Sequence, residues 1–373
     1  MKSGRIVLAF TGSFETSVAI PWLRERCGAD VVTVTLDLGQ GRVLEDVRDR
    51  ALAAGAVRAH VLDAREEFAA DFIVRALKAD AVYEDRYPMA TSLGRALVSQ
   101  KLVEVAAIEQ ADVVAHGGIA KDNDQIRIEA AVRALNPALR VLAPVQEWDM
   151  SASDAAEYGR RHGVNRSVAQ TPYSIDANLW GRAVQYGVID DPWAEAPEEV
   201  YTLTRTPADC PDEAAYVEIS FQSGVPVAIN GVEMPILDLI GSLGLIAGAH
   251  GVGRIDMVEN RVAGTKVREI YEAPAAVVLH AAHKELQKMV VATGVDRFSR
   301  AVSLQYADTI YNGLWFAPLR EALDAFIDKV QERVTGVIRM KLFKGDCRVV
   351  GRKSPFALYE PAAAAAPATT ATS

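Results

Sequence analysis

The sequence predicts an α/β fold whose N-terminal half holds an open parallel sheet and whose C-terminal half forms a second, less regular α+β domain. Segments rich in Val and almost wholly apolar alternate with helical patterns through about the first 165 residues. That is the pattern of parallel strands covered by helices on both faces. The predicted strands are Arg5 to Phe10, Asp30 to Leu36, Arg58 to Leu62, Asp112 to His116 and Arg140 to Pro144.

Helical patterns fill the intervals between these strands. They cover Val43 to Ala54, Arg65 to Ala79, Leu93 to Gln110, Gln125 to Leu135 and Ser153 to His162. An open parallel sheet binds its ligands outside the carboxyl ends of its strands. Three loops follow those ends and are predicted to meet in one crevice: Thr11 to Ser17, Asp37 to Gln40, and Gly117 to Asp124.

The second half of the chain loses the regular alternation. Pro-rich stretches lie between Pro192 and Pro211, and a strand pattern covers Tyr216 to Phe221. An amphipathic helix pattern covers Pro318 to Val334, which favours an oligomer or core surface. Its solvated face is predicted to hold Glu321, Asp324, Asp328 and Lys329, and exposed apolar residues are expected beside it at Leu314, Trp315 and Phe316.

Two domain boundaries follow from these patterns. We expect an N-terminal domain over residues 1–168, a second domain over residues 169–360, and a disordered tail over residues 361–373. The tail consists mainly of Ala, Thr and Pro and has little to bury.

Composition excludes several classes of protein. A net charge of −9 over 373 residues argues against nucleic-acid binding, which depends on clustered Lys and Arg. The three cysteines are far apart and form no C-x-x-C motif, so they predict neither a local zinc site nor a disulfide framework. With no signal peptide and no long apolar run, the sequence predicts a cytoplasmic protein that does not contact membranes.

The segment from Arg5 to Ser17 predicts a phosphate site. A buried strand runs into a hydroxyl-rich loop, and a helix is predicted to begin at Val18. Hydroxyls at Thr11, Ser13, Thr16 and Ser17 would join unpaired N–H groups at the helix start in binding an anion. The loop lacks the Walker A and G-x-G-x-x-G patterns, which leaves the loop of the ATP pyrophosphatases as the closest type. A Ser/Thr cap without a ligand is the alternative interpretation.

Motifs spread over most of the chain carry a family resemblance. They include Leu38-Gly-Gln40, Val61-Leu-Asp-Ala-Arg-Glu-Glu-Phe68, Arg86-Tyr-Pro88, Thr91-Ser-Leu93, Asn123-Asp-Gln125, Tyr173-Ser-Ile-Asp-Ala-Asn-Leu-Trp-Gly-Arg182, His250-Gly-Val-Gly-Arg-Ile-Asp256, Val258-Glu-Asn-Arg261, His280-Ala-Ala-His283 and Tyr311-Asn-Gly-Leu-Trp-Phe316. With these motifs the chain resembles the argininosuccinate synthase family from about Arg5 to Glu360. The resemblance implies an ATP-pyrophosphatase-type nucleotide-binding domain over residues 1–168. It also implies a synthetase and multimerisation domain over residues 169–360, with a C-terminal helix used in a homotetramer.

The resemblance also implies a reaction and its residues. ATP, with Mg²⁺, would adenylate citrulline, and the amine of aspartate would then displace AMP. Catalytic roles would fall to Glu15, Asp124 and Arg127. Nucleotide contacts would come from Ala9, Thr11, Gly12, Ser13, Glu15, Thr16, Ser17, Leu36 and Gly117. The two amino-acid substrates would contact Tyr87, Thr91, Ser92, Ile119, Asn123, Asp124, Arg127, Ser174, Ala183, Glu259 and Tyr271.

Several positions depart from the family's usual pattern, and they lie mainly in the expected active-site loops. Ser13 replaces a glycine and would cost about 1 to 2 kcal/mol if its backbone were left-handed. Leu36 replaces a small alanine and would narrow the nucleotide pocket. The other departures are Glu15 for aspartate, Ile119 for threonine, Asp122 for glycine, Ala183 for serine and Gln185 for glutamate.

These departures leave three hypotheses for the function. The first is argininosuccinate synthase activity, and the second is a paralogous AMP-forming ligase with a different amine or ureido/acyl substrate. The third is a nucleotide- or metabolite-binding protein with little catalysis. His280 and His283 lack an acidic partner arranged as in H-E-x-x-H, so we expect no protein-ligated transition metal.

Overall fold

The first half of the molecule is an open parallel sheet. The computed structural model describes residues 4–41, 44–118, 123–165 and 172–359. Five strands lie in the order β3-β2-β1-β4-β5, and every neighbouring pair is parallel. They are β1 (Arg5–Ala9), β2 (Asp30–Asp37), β3 (Arg58–Asp63), β4 (Val113–Ala115) and β5 (Arg140–Leu142). The predicted sheet is confirmed, with each strand end within two residues of its expected position.

Helices connect these strands as predicted. They are α1 (Phe14–Cys27), α2 (Leu44–Ala53), α3 (Arg65–Glu67), α4 (Val74–Lys78), α5 (Ala90–Ile108), α6 (Asn123–Leu135), α7 (Pro144–Glu147) and α8 (Ala152–Arg161). A π-helical segment, Phe68–Ile73, joins α3 to α4. Val43, predicted to start α2, lies outside the described residues.

The predicted start of α1 at Val18 is wrong. Ser13 has extended backbone (φ −68°, ψ 165°), and its hydroxyl oxygen accepts a hydrogen bond from the backbone N–H of Thr16. A serine in this arrangement is an N-cap. The helix therefore begins at Phe14, and Thr16 and Ser17 belong to its first turn.

The second half contains two antiparallel sheets. The strands are β6 (Ser174–Asn178), β7 (Gly181–Gln185), β8 (Ala215–Gln222), β9 (Val225–Ile229), β10 (Val232–Glu233), β11 (Arg254–Asn260), β12 (Lys266–Glu272), β13 (Gly336–Phe343) and β14 (Asp346–Lys353). One sheet has the order β10-β9-β8-β13-β14 and the other β11-β12-β7-β6. Strand β8 confirms the strand predicted at Tyr216 to Phe221.

The second half also contains four long helices: α9 (Ile236–Ala249), α10 (Pro274–Val290), α11 (Thr293–Tyr311) and α12 (Pro318–Gln331). Helices α9 and α10 pack on the sheets, whereas α11 and α12 pack on each other and on helices of the first half. Two short 3₁₀ turns lie at Gly187–Asp190 and Glu198–Val200. The β13–β14 hairpin follows α12, so the amphipathic helix is not the last described element. In the part of the chain that the structure describes, no helix is both long and apolar enough to cross a membrane.

Three expectations for the surroundings of α12 are wrong. Trp315 is buried, not exposed, because its ring stacks on Phe72 with centroids 4.8 Å apart. Asp324 is largely covered and accepts a 2.7 Å hydrogen bond from the Tyr306 hydroxyl, so it does not belong to a solvated face. Phe316 is partly buried, because it packs against the main hydrophobic core. Leu314 is exposed as expected.

The segment before α5, Tyr83 to Met89, connects the two halves of the molecule by hydrogen bonds. Glu84, Asp85 and Met89 have positive φ, which is uncommon for residues with a side chain. The Tyr83 hydroxyl donates to the carbonyl of Asn260, and the Trp180 indole N–H donates to the carbonyl of Pro88. Tyr87, in this segment, is therefore placed against the second half of the molecule.

Candidate active site

The hydroxyl-rich loop after β1 is tightly folded on itself. Gly12 has a φ of +74°, and its carbonyl accepts a 2.8 Å hydrogen bond from Arg50 on α2. Thr16 Oγ1 lies 3.2 Å from the Ser13 hydroxyl, and the Ser17 hydroxyl donates to the carbonyl of Ser13. The left-handed strain expected at Ser13 does not arise, because the positive φ falls on Gly12.

The loops after β1 and β4 meet as predicted. A Cβ atom added at Gly117 would lie 2.6 Å from Cγ2 of Thr16, so only glycine permits this approach. The loop after β2, Asp37 to Gln40, is bonded to the second half of the molecule. The backbone N–H of Leu179 donates to the carbonyl of Leu38. Leu36 is buried in the main hydrophobic core, and Ala9 is buried at the end of β1.

Two stacked pairs of tyrosines lie beside this crevice. The rings of Tyr87 and Tyr271 have centroids 3.9 Å apart, and those of Tyr83 and Tyr311 have centroids 3.5 Å apart. Each pair joins the segment before α5 to an element of the second half. The Tyr87 hydroxyl also accepts a hydrogen bond from the backbone N–H of Thr91, which holds the Tyr87 ring in place.

Glu259 is the centre of a buried polar network. Its Oε1 accepts a 2.6 Å hydrogen bond from the Tyr311 hydroxyl, and its Oε2 lies 2.7 Å from the Tyr271 hydroxyl. The Tyr311 hydroxyl in turn accepts from Asn123 Nδ2, while Asn123 Oδ1 accepts from the backbone N–H of Val262. Burial raises the pKa of Glu259, against the opposing effect of its tyrosine hydrogen bonds.

Asp124 is bound by two guanidinium groups. Arg95 Nε lies 2.8 Å from Asp124 Oδ2, and Arg127 Nη1 lies 3.4 Å from Asp124 Oδ1. Burial would raise the pKa of Asp124, but the two arginines outweigh it and lower that pKa. Arg95 also approaches Asp176 at 3.2 Å, so the cluster holds two carboxylates and two guanidinium groups.

The remaining predicted substrate residues have different surroundings. Ser92 is buried, and its hydroxyl has no hydrogen-bond partner among the described residues. Ala183 is the register partner of Tyr271 in the β7–β12 pair. Ser174 is exposed at the start of β6. Ile119 and Asp122 lie outside the described residues.

Sequence interpretation missed four residues that contact the site: Arg50, Arg95, Glu269 and Tyr311. Helical spacing could have identified Arg95, because it follows Ser92 by three residues on α5 and residues so spaced share a face. Strand spacing could have identified Glu269, which precedes Tyr271 by two residues on β12.

The two histidines at positions 280 and 283 have protein partners. His280 Nδ1 lies 3.1 Å from Asp80 Oδ1, and His283 Nε2 lies 2.8 Å from Gln331 Oε1. Burial lowers the pKa of His283 to about 4. Within the described ranges, no group of three or more His, Cys, Asp or Glu side chains is arranged to hold a metal ion.

The parallel sheet, its capped hydroxyl loop and the crevice at the strand ends define an α/β nucleotide-binding protein of the ATP-pyrophosphatase type. Residues 5–165 match the argininosuccinate synthase N-terminal HUP domain, and residues 173–371 match the argininosuccinate synthase C-terminal domain. The chain therefore belongs to the argininosuccinate synthase family, which confirms the resemblance predicted from its motifs.

Similar proteins agree with this assignment over nearly the whole length. The argininosuccinate synthase of Gloeobacter violaceus is 51% identical over 362 residues, which cover 96% of this chain and 91% of that protein. The argininosuccinate synthase of Symbiobacterium thermophilum is 51% identical over 361 residues, covering 96% of this chain and 90% of that protein.

Proposed function

We propose that the protein is an ATP-dependent ligase that joins citrulline to aspartate, forming argininosuccinate, AMP and pyrophosphate. The ureido oxygen of citrulline attacks the α-phosphate of ATP and expels pyrophosphate. The amine of aspartate then attacks the ureido carbon and displaces AMP. Family membership over nearly the full chain carries this proposal, together with a crevice that gathers Tyr87, Asn123, Glu259 and Tyr271.

The nucleotide end of the crevice is assigned to the loops after β1 and β4. The first turn of α1 directs its N–H groups and the positive end of the helix dipole toward the crevice, which suits polyphosphate. Ala9, Gly12, Ser13 and Gly117 would let the nucleotide approach the backbone closely. Thr11, Glu15, Thr16, Ser17 and Leu36 complete the proposed nucleotide set.

Mg²⁺ is proposed to enter as part of Mg-ATP. This ion commonly takes its ligands from substrate phosphates, water and one or two carboxylates. Glu15, in the first turn of α1, supplies the proposed carboxylate. The ion would neutralise charge on the departing pyrophosphate.

The citrulline end is assigned to the tyrosine pairs and Glu259. The flat ring of Tyr87 would lie against the aliphatic chain, and the buried hydroxyl of Ser92 would find its partner in the substrate. Glu259 supplies a negative charge for the substrate ammonium group, and Arg127 supplies donors for its carboxylate. Thr91, Ser174, Ala183 and Tyr271 would complete this set.

The aspartate end is assigned to the start of α6 and the loop before it. Asn123 and Asp124 would contact the incoming amino acid, next to Ile119. Because Asp124 is already held by Arg95 and Arg127, its position is fixed before substrate arrives. Such pre-organisation places the amine for attack without further ordering cost.

Assembly and location follow from the same assignment. We infer a homotetramer, since large exposed apolar side chains lie on three helices of the second half: Leu245, Phe298, Leu304 and Leu319. Burial of exposed apolar side chains of this size favours subunit contacts. We place the enzyme in the cytoplasm, where ATP is supplied.

Calorimetry and product analysis test the proposal together. Mg-ATP is titrated into the full-length protein with citrulline present, and argininosuccinate is then measured after aspartate is added. We expect nucleotide binding below about millimolar concentration and aspartate-dependent product. Failure to bind ATP or AMP at about millimolar nucleotide would overturn every ligase assignment.

A paralogous AMP-forming ligase is the second candidate. Two features favour it: Ala183 removes a hydroxyl expected beside Tyr271, and Glu269 adds a second carboxyl group there. ATP–pyrophosphate exchange across a panel of amino acids separates the candidates, because a paralogue would exchange faster with a substrate other than citrulline.

A further inference from the structure

The Tyr271 hydroxyl lies between two buried glutamates. Its oxygen is 2.7 Å from Glu259 Oε2 and 2.7 Å from Glu269 Oε2. Glu259 is 1% exposed and Glu269 is 4% exposed. A phenol carries one proton and can donate to only one carboxylate. The second contact at this distance therefore requires another proton, carried by one of the two glutamates.

The surrounding contacts place that proton on Glu269. Glu259 has two phenol neighbours, since the Tyr311 hydroxyl donates to its Oε1, and such hydrogen bonds stabilise a carboxylate. Glu269 Oε1 accepts a hydrogen bond from a neutral amide N–H, that of Gln185 at 2.8 Å, and Arg261 Nη2 lies 3.9 Å from it. Burial and the neighbouring Glu259 raise the pKa of Glu269 to about 7. Protonated Glu269 thus donates to Tyr271, which donates to Glu259.

We propose that Glu269 is a positioning residue: it orients the Tyr271 hydroxyl toward Glu259 and releases its proton when a substrate ammonium group binds beside Glu259. The inference rests on the proposed function, which places the ammonium group of citrulline at Glu259. A new positive charge there favours ionised Glu269. Binding then expels one proton to the buffer, and by linkage the affinity for citrulline rises with pH.

The other charged and titratable groups around Glu259 and Glu269 do not account for a proton released near neutral pH. Arg127 on α6 and Arg261 after β11 remain charged at neutral pH. Burial raises the pKa values of Tyr87, Tyr271 and Tyr311 above their ordinary values, so these phenols stay protonated. Glu84 accepts a hydrogen bond from the side-chain N–H of Asn260 and contributes to the raised pKa of Glu259; it has no contact with Glu269 among the described residues.

The first experiment measures the citrulline KM of the full-length enzyme from about pH 6 to about pH 8. If citrulline binds only to ionised Glu269, KM falls about tenfold over this interval. Glu269→Gln keeps a side chain that donates to Tyr271 but cannot titrate, so its KM should be independent of pH. Glu218→Gln, at an exposed ion pair with Arg339, is the matched control and should keep the wild-type profile.

A second variant guards against misfolding of Glu269→Gln. Gln185→Glu puts another carboxylate beside Glu269. Because that charge disfavours ionisation of Glu269, Glu269 would keep its proton to higher pH. The fall in the citrulline KM should therefore move to higher pH. Calorimetry with citrulline at about pH 6.5, in buffers of different ionisation enthalpy, should detect up to about one proton released by wild type and none by Glu269→Gln.

The outcomes separate this inference from the proposed function. An active enzyme whose citrulline KM and proton release are the same in wild type and Glu269→Gln overturns the role of Glu269 alone. Absence of argininosuccinate formation overturns the proposed function. Infrared spectroscopy tests the placement of the proton without substrate. We expect the carbonyl band of a protonated carboxylic acid in the ligand-free wild type and not in Glu269→Gln. Absence of this band from both proteins would overturn the placement of the proton on Glu269.

Discussion

Gly117 and Thr16 lie so close together that a single methyl group cannot be inserted between them. A Cβ atom at position 117 would stand 2.6 Å from Cγ2 of Thr16, well inside the optimal separation of about 3.5 to 4 Å for two carbon atoms. The contact joins the loop after β4 to the first turn of α1. It fixes the width of the crevice in which we place the nucleotide.

Gly117→Ala should therefore weaken ATP binding. The added methyl group must push the two loops apart, and a displacement of about 1 Å at a reacting site costs on the order of a hundredfold in rate. We expect the ATP KM to rise by about ten- to a hundredfold. Steady-state kinetics with ATP varied and the amino acids saturating would measure the change.

Gly241→Ala is the matched control. It also adds one methyl group to a glycine, but no atom lies within 4 Å of the new Cβ. Alanine is the better helix former on α9, so stability should rise slightly with unchanged kinetics. If both variants kept the wild-type ATP KM, the loop contact would not shape the nucleotide site.

The fold of the first half of the molecule could be predicted because short stretches of sequence determine it. Apolar runs specify buried parallel strands, and strand ends specify where the loops gather. The α1 start was misplaced because Ser13 caps the helix four residues early, which hydrophobic periodicity does not reveal. Trp315 was misjudged because its partner Phe72 is distant in sequence.

The polar network could not be derived from local pattern. Asn123 reaches Tyr311 and Tyr311 reaches Glu259, and these contacts depend on how α6, α11 and β11 pack. The motif resemblance gave Asn123 and Glu259 roles in substrate binding but gave no role to Tyr311, which links them. Sequence spacing predicts which side chains share a face, whereas it leaves open which faces meet.

His283 makes the stability of the protein pH-dependent. Burial lowers its folded-state pKa to about 4, while an unfolded histidine titrates near about 6.5. Between these values the unfolded chain binds a proton that the folded chain does not, so stability falls as the pH falls. The loss approaches about 3 kcal/mol by about pH 4, with about 2 kcal/mol already lost at about pH 5.

Urea unfolding at about pH 7.5 and about pH 5 measures this difference. His283→Gln should reduce the difference by about 2 kcal/mol, because the variant has no group to protonate at that position. The control His162→Gln, at a side chain that is 30% exposed, should keep the wild-type difference. An unchanged difference in His283→Gln would show that other groups control acid stability.

The proposed tetramer predicts a particle of four times the 40.3 kDa chain mass. Leu304, at 57% exposed on α11, should lie in a subunit contact, so Leu304→Glu should lower the mass measured by light scattering. Ile108→Glu changes an even more exposed residue, 71%, at the end of α5 and should leave the mass unaltered. A stable wild-type monomer, unchanged on concentration, would contradict the assembly.

The loop from Ile119 to Asp122 carries the sharpest prediction about substrates, although it lies outside the described residues. The family's usual threonine at position 119 would donate a hydrogen bond to aspartate, and Ile119 cannot. A charged group that loses one hydrogen bond loses about 1.5 to 3 kcal/mol. Asp122 adds a carboxylate, and two like charges about 4 Å apart repel by about 4 kcal/mol at an effective dielectric near 20. Aspartate should therefore show a raised KM, whereas citrulline should not.

Ile119→Thr/Asp122→Gly restores the donor and removes the repulsion. With ATP and citrulline saturating, kcat/KM for aspartate should rise by about one to three decades, which corresponds to about 1.5 to 4 kcal/mol of transition-state stabilisation. The citrulline KM serves as the internal control, because Tyr87, Ser92 and Arg127 are untouched. A paralogous ligase would respond in the opposite way: Asp122 would help to bind a different amine, and the double substitution would lower turnover of that substrate. No gain with aspartate would refute the claim that this loop limits argininosuccinate formation.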